Sequence, residues 1–110
     1  MGFLVYHRAR AIAVEDRALA HLQIVIIDKL RRREHFGLNL RIENHLVTMW
    51  VTCSTPLQFV YEGNRRPRLN YPWVELLAGE ASLTGTLVLL PEPLDVQSSV
   101  PSRVLKRATS

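Results

Sequence analysis

Residues 36–53 read FGLNLRIENHLVTMWVTC and contain two runs, 36–42 and 47–53, in which apolar and polar side chains alternate. A period of two is typical of β-strands with one covered face and one face open to water. A third alternating run, 57–61, follows after a short connection. These three runs predict an antiparallel meander of three strands.

Helical patterns flank this meander on both sides. Before it, apolar residues recur at steps of three and four, namely Leu19, Leu22, Ile26 and Leu30. This spacing predicts a helix with one buried face over about residues 16–33. After the meander, Asn70 can cap a second helix, and Pro72 suits a first turn, where its missing N–H costs nothing.

Three shorter apolar runs complete the pattern, at residues 3–6, 11–14 and 87–90. The predicted order is therefore ββαβββαβ. We expect an α+β fold, a two-layer sandwich in which one antiparallel sheet carries both helices on one face. Residues 1–94 are expected to form a single domain. Residues 95–110 are basic and lack periodicity, so they are expected to form a flexible tail.

The composition is that of a globular protein, with 47% hydrophobic and 22% charged residues. Its one cysteine, Cys53, excludes an internal disulfide and favours a reducing, cytoplasmic location. The alternation places Cys53 on the covered face with Val51, which predicts a buried, inert thiol. The longest aliphatic run, 24–27, is too short to span a membrane, so no membrane partner is expected.

The net charge of +4 is unevenly distributed along the chain. Residues 1–95 hold 11 Lys and Arg against 10 acids, whereas residues 96–110 hold three basic residues and no acid. Within the nearly neutral part, two basic clusters remain, at 29–33 and 65–68. Arginine is suited to bidentate phosphate contacts, so both clusters are candidate anion sites.

Each cluster also has a structural interpretation. Cations over residues 29–33 would complement the dipole at a helix C-terminus, although four cations in five positions exceed what capping requires. The cluster at 65–68 precedes a predicted helix N-terminus, where free N–H groups favour an anion. Its alternative is a solvated loop whose arginines pair with Glu62 and Glu75.

Trp50 is a large aromatic residue on the polar side of its predicted strand. The alternation places it on the face away from the first helix, near Arg41 and Gln58. An aromatic side chain with an arginine on an open sheet face can stack unpaired bases. Alternatively, a second copy of the chain covers this face in a homodimer, which is the interpretation we prefer.

The sequence contains no motif for a phosphate-binding loop or a metal site. The glycines form no phosphate-binding loop, and the four histidines share no metal-ligand spacing. His21 lies between Leu19 and Leu22 of the predicted helix, which favours a structural role. We therefore expect no catalytic residue, no metal and no cofactor.

Three segments carry a resemblance: DRALAHLQ at 16–23 with KLRR at 29–32, GNRRP at 63–67 with Asn70, Trp73 and Glu75, and LLPEP at 89–93. They resemble a small actinobacterial family of unknown function, over roughly residues 1–93. Its members often carry the automatic label "ATP-dependent DNA ligase". Such ligases attack ATP with the lysine of a Lys-x-Asp-Gly motif, and neither Lys29 nor Lys106 is followed by that motif.

The leading hypothesis is a small, non-enzymatic, nucleic-acid-associated protein. Its phosphate contacts would come from Arg31, Arg32, Arg33, Arg65, Arg66 and Arg68. Such binding would be mainly electrostatic and hardly sequence-specific. The alternative is a structural or adaptor protein that acts by self-association or by binding another protein. The third hypothesis is the ligase-related activity that the resemblance implies.

Overall fold

A computed structural model describes residues 1–65 and 67–94. Within these ranges the chain forms six strands and two helices in the predicted order ββαβββαβ, so the α+β class is confirmed. The elements are β1 (Gly2–Tyr6), β2 (Arg10–Val14), α1 (Asp16–Arg31), β3 (Phe36–Ile42), β4 (His45–Val51), β5 (Leu57–Val60), α2 (Tyr71–Thr84) and β6 (Thr86–Val88). Arg66 and residues 95–110, the expected tail, lie outside the described residues.

The strands form two sheets of three, in the orders β2-β1-β5 and β4-β3-β6, where the sequence suggested a single sheet. The predicted meander is correct for β3 and β4, which pair antiparallel. The next strand, β5, leaves β4 and pairs antiparallel with β1, with Phe59 opposite Leu4. After the end of β4, a turn closed by the Thr55 N–H on the Thr52 carbonyl, 3.1 Å away, redirects the chain.

The last strand, β6, pairs with β3 in parallel, with Leu87 opposite Leu38. The second sheet is therefore mixed rather than wholly antiparallel. A parallel pair needs a long crossover, and the chain between β3 and β6 includes β4, β5 and α2. Strand β3 thus becomes the centre of its sheet, and Phe36 and Leu38 are fully buried.

The two helices cover the core that the sheets leave open. α1 buries Leu19, Leu22 and Ile26, as its spacing predicted. α2 begins after Asn70, whose side-chain oxygen accepts the Trp73 N–H at 3.4 Å. It ends at Gly85, which has a φ of 79°, a left-handed conformation that glycine adopts without a side-chain clash. Neither helix in the described part of the chain is long and apolar enough to cross a membrane.

The prediction of a buried thiol is wrong. Strand β4 ends at Val51, and Cys53 lies in the turn that follows, where its side chain is exposed. The Sγ atom lies 3.5 Å from the Leu30 carbonyl, to which it donates a hydrogen bond. The alternation of apolar and polar residues continues past the end of β4, so it predicted a covered face that extends two residues further than the strand does.

Candidate functional site

A groove of about 800 Å³ lies between α1, α2, the end of β5 and the loop that follows it. We refer to it as the helix groove. Its lining consists of Ala20, Gln23, Ile24, Val25, Ile27, Asp28 and Arg31 of α1, Phe59 and Tyr61 at the end of β5, Gly63, Asn64, Arg65, Pro67 and Leu69 of the loop, and Val74 and Ala78 of α2. Most of these residues are apolar, and cations are few.

The apolar floor of the groove comes from the breadth of the apolar stripe on α1. Ile26 faces the core and is fully buried, whereas Ile24 and Ile27 lie on the neighbouring face and are 36% and 42% exposed. An amphipathic helix buries a single stripe, and α1 carries apolar residues beyond the stripe that the sheets cover. The surplus side chains form a surface that nothing in residues 1–65 or 67–94 fills.

Arg31 and Arg65 bring one residue from each basic cluster to this groove. Arg31 stands in the last turn of α1, and Arg65 stands in the loop after β5. Both side chains are exposed. Within the described ranges, neither makes a hydrogen bond or a salt bridge. Two guanidinium groups are therefore free to bind an anion at the same groove.

The rest of the first cluster is engaged elsewhere. Arg32 pairs with Asp28 at 2.8 Å and with Glu34 at 3.2 Å. Lys29 is buried, and its ammonium lies 3.0 Å from a Glu34 oxygen; this hydrogen bond lowers the pKa of Glu34. Arg33 has a φ of 61°, is exposed and does not line the groove. Lys29 and Arg32 are therefore held by acidic partners, whereas Arg31, also a cation near the C-terminus of α1, makes no ion pair with the described residues.

The second cluster is also divided. Arg65 lines the groove, whereas Arg68 is exposed beyond its lining. The suggested pairing of these arginines with Glu62 and Glu75 is not seen among the described residues. Glu62 instead bonds the N-terminal ammonium of Met1. At the start of α2, the N–H groups of Trp73 and Val74 both donate to the Asn70 carbonyl, so these two donors are not free to bind an anion.

Contacts with the first turns of α1 hold the loop that carries Arg65. The carboxylate of Asp16 accepts the backbone N–H groups of Glu62 at 3.2 Å and of Gly63 at 3.0 Å. The Gly63 bond, the stronger influence of the two, lowers the pKa of Asp16. At the other end of the loop, Arg17 Nη1 donates to the Arg68 carbonyl at 2.6 Å. The loop is thereby anchored to α1 on both sides of Arg65.

A polar network that the sequence did not predict completes this anchorage. Arg17 donates to Glu92 through Nε at 2.9 Å and through Nη2 at 2.5 Å, a bidentate pair. Asn70 Nδ2 donates to the same carboxylate at 2.8 Å. The Arg17 hydrogen bonds, with the smaller effect of Asn70, lower the pKa of Glu92 to about 2. The network is structural, because its polar groups are occupied with one another.

Trp50 and Arg41 are not brought together. Both lie on the open face of the second sheet, and Trp50 is 56% exposed, as the alternation predicted. However, Trp50 stands opposite Gly37, and Arg41 stands four positions further along β3, about 13 Å away at the usual rise of a strand. The ring nearest to Trp50 is that of His35, with centroids 5.3 Å apart. Gln58 belongs to the other sheet.

Comparisons with known proteins give a family but no function. A model of a domain of unknown function, DUF7882, matches residues 1–92. No curated protein and no solved structure matches the chain. In the part of the chain that the structure describes, no three His, Cys, Asp or Glu side chains group together as metal ligands would.

Proposed function

We propose that this chain, which belongs to the DUF7882 family of unknown function, binds nucleic acid. In this proposal, Arg31 and Arg65 hold the phosphates of the nucleic acid. One observation carries the proposal: two arginines from separate basic clusters line one groove, and neither has a partner in the described ranges. Unpaired guanidinium groups facing one space favour an anionic ligand, and arginine binds phosphate in a bidentate manner.

The surroundings of the two arginines leave their charge available. Asp28 is the acid in the lining of the groove, and its carboxylate is paired with Arg32 at 2.8 Å. Phosphate contacts of this kind determine affinity and position but carry no sequence information. The proposed binding is therefore electrostatic and almost independent of base sequence.

The proposal is one of binding rather than catalysis. The actinobacterial family that the sequence resembles implies a ligase label, and a ligase needs an accessible lysine to attack ATP. Lys29 has a side chain that is 5% exposed, and its ammonium is bonded to Glu34. Such a group is held as a structural cation, which argues against a role as a nucleophile.

The salt dependence of DNA binding tests the proposal. Replacing Arg31 and Arg65 with alanine removes two phosphate contacts, so the slope of log K against log salt on duplex DNA should become shallower by about 1.8. The matched control is the double variant Arg8→Ala and Arg10→Ala, which removes the same charge from the β1–β2 turn and the start of β2, outside the lining of the groove. The control should leave the slope almost unchanged.

Two results would contradict the proposal. One is the absence of binding to both duplex and single-stranded DNA by the wild-type protein at about 50 mM salt, where electrostatic binding is strong. The other is an equal loss of slope in the groove variant and in the control, since that would indicate a dependence on net charge alone.

Self-association is the second candidate function, and one observation favours it. On the open face of the second sheet, Leu46 is 62% exposed and Trp50 is 56% exposed. Both belong to β4, an edge strand, and no Asp, Glu, Lys or Arg lies within that strand. Exposed apolar residues on an unprotected edge are typical of a surface that another chain covers.

A further inference from the structure

We infer that the helix groove binds an unpaired nucleic-acid strand, with a base lying against Ile24 and Ile27 while the adjoining phosphates contact Arg31 and Arg65. This inference rests on the proposed function and specifies its substrate class. It follows from the apolar lining of the groove, which phosphate binding alone leaves unexplained.

The ligand that best complements the lining of the groove has an apolar surface as well as negative charge. Ile24 and Ile27 are partly exposed, and Phe59 and Val74 lie in the same lining. Phosphates would satisfy the two arginines and leave these side chains in contact with water. In a duplex the flat faces of the bases are hidden by stacking, whereas an unpaired strand can turn a base onto a protein surface.

The positions of these residues on α1 bring the two kinds of contact together. Ile24, Ile27 and Arg31 follow one another at steps of three and four, so they form one stripe along the helix. Arg31 lies one turn, about 6 Å, beyond Ile27. The sugar and base that adjoin a phosphate bound by Arg31 are therefore within reach of the isoleucines, and the loop holds Arg65 at the same groove.

The volume of the groove fits such an occupant. It measures about 800 Å³, which lies in the range of about 300 to 1,000 Å³ for sites that take small organic ligands. The aromatic ring of Tyr61 is half-buried in the lining, and its hydroxyl donates to Gln23, so the wall beside the isoleucines is held in place. Unpaired bases can bind to such a wall without a hydrogen-bond code, because every base has an apolar face.

Three fluorescent probes of equal length test the inference: oligothymidylate, an abasic deoxyribose-phosphate oligomer and a DNA duplex. The abasic oligomer keeps the phosphates and lacks the bases. Wild-type protein should bind oligothymidylate about fivefold tighter than the abasic oligomer, because a base that lies on the isoleucines removes roughly 40 Å² of apolar surface from water. It should also prefer oligothymidylate to the duplex.

Serine substitutions in the groove then test whether the base lies against the two isoleucines. Ile27→Ser should remove most of the preference for oligothymidylate and leave binding of the abasic oligomer unchanged; Ile24→Ser should act in the same direction. Both sites are partly exposed and serine has a helix propensity close to that of isoleucine, so the fold should persist, and circular dichroism checks it. The control is Leu83→Ser, the same kind of change on α2 at a residue that is 81% exposed and outside the groove.

The possible failures are distinguishable. Equal binding of oligothymidylate and the abasic oligomer, tighter binding of the duplex, or a normal base preference in Ile27→Ser would each overturn the inference and leave the proposed function standing. Binding of none of the three probes by wild-type protein would contradict the proposed function and the inference together.

Discussion

Asn70 donates its backbone N–H to Nε2 of His21 across 2.8 Å, and both residues are fully buried. Since Nε2 accepts this bond, the ring proton lies on Nδ1, which donates to the Arg17 carbonyl at 2.7 Å. The imidazole also stacks on the ring of Trp73, with centroids 4.5 Å apart. One histidine of α1 thus fixes the residue that caps α2, and with it the end of the loop that carries Arg65.

The first prediction concerns this histidine. His21→Leu keeps a side chain of similar size in the core but leaves the Asn70 N–H buried without an acceptor. We expect the free energy of unfolding to fall by about 1–3 kcal/mol, the cost of an unsatisfied buried donor. Urea denaturation followed by circular dichroism measures it. His45→Leu, at an exposed position of β4, is the control, and an equal loss in both variants would show that the buried bond contributes little.

The second prediction concerns acid stability. Because its pKa is lowered to about 2 in the folded protein, Glu92 stabilises the fold above its unfolded pKa of about 4.5 and loses this effect as the pH falls toward 2. Glu92→Gln should therefore flatten the curve of unfolding free energy against pH over that window. Asp16 and Glu34, whose pKa values are also lowered, should preserve part of the slope.

The control for this pH experiment is Glu75→Gln. Glu75 is exposed on α2 and makes no ion pair with the described residues. Its substitution should leave the curve as it is in the wild type. If Glu92→Gln and the wild type gave superimposable curves between pH 4.5 and pH 2, the ion pair with Arg17 would not contribute to acid stability.

The third prediction belongs to the second candidate function. If the open face of the second sheet pairs with a second copy, Trp50→Arg should convert a dimer into a folded monomer, because it places like charges on both sides of the interface. Analytical ultracentrifugation measures the mass. Leu83→Arg introduces the same charge on α2 and should leave the dimer intact. An unchanged mass in Trp50→Arg would remove this face as an interface.

The fourth prediction tests the ligase-related activity that was the third hypothesis from the sequence. Incubation with radiolabelled ATP and magnesium should leave the protein unlabelled, because the ammonium of Lys29 is buried and bonded to Glu34. Gel autoradiography and mass spectrometry provide the measurement. A covalent, acid-labile AMP adduct on Lys29 would contradict a non-enzymatic role.

Local patterns in the sequence were sufficient to predict the order of the elements and, within the helices and strands named below, the face that each one buries. The spacing of Leu19, Leu22 and Ile26 located α1 and its buried side, and the alternation around Trp50 correctly placed that residue on an exposed face. Asn70, which caps the helix, and Pro72, which lies in its first turn, correctly marked the start of α2. Helical and extended periodicity, capping and turn chemistry depend on residues a few positions apart, which lie side by side in the sequence.

Only the tertiary structure decided how these elements meet. The turn after Val51 separates β4 from β5, exposes Cys53 and divides the strands between two sheets, although the alternation itself continues. The meeting of Arg31 and Arg65 at one groove, and the bonds of Arg17 to Glu92, join residues that are far apart in the chain. Such contacts have no signature in local spacing, because they depend on the path of the whole backbone and on which apolar faces bury one another.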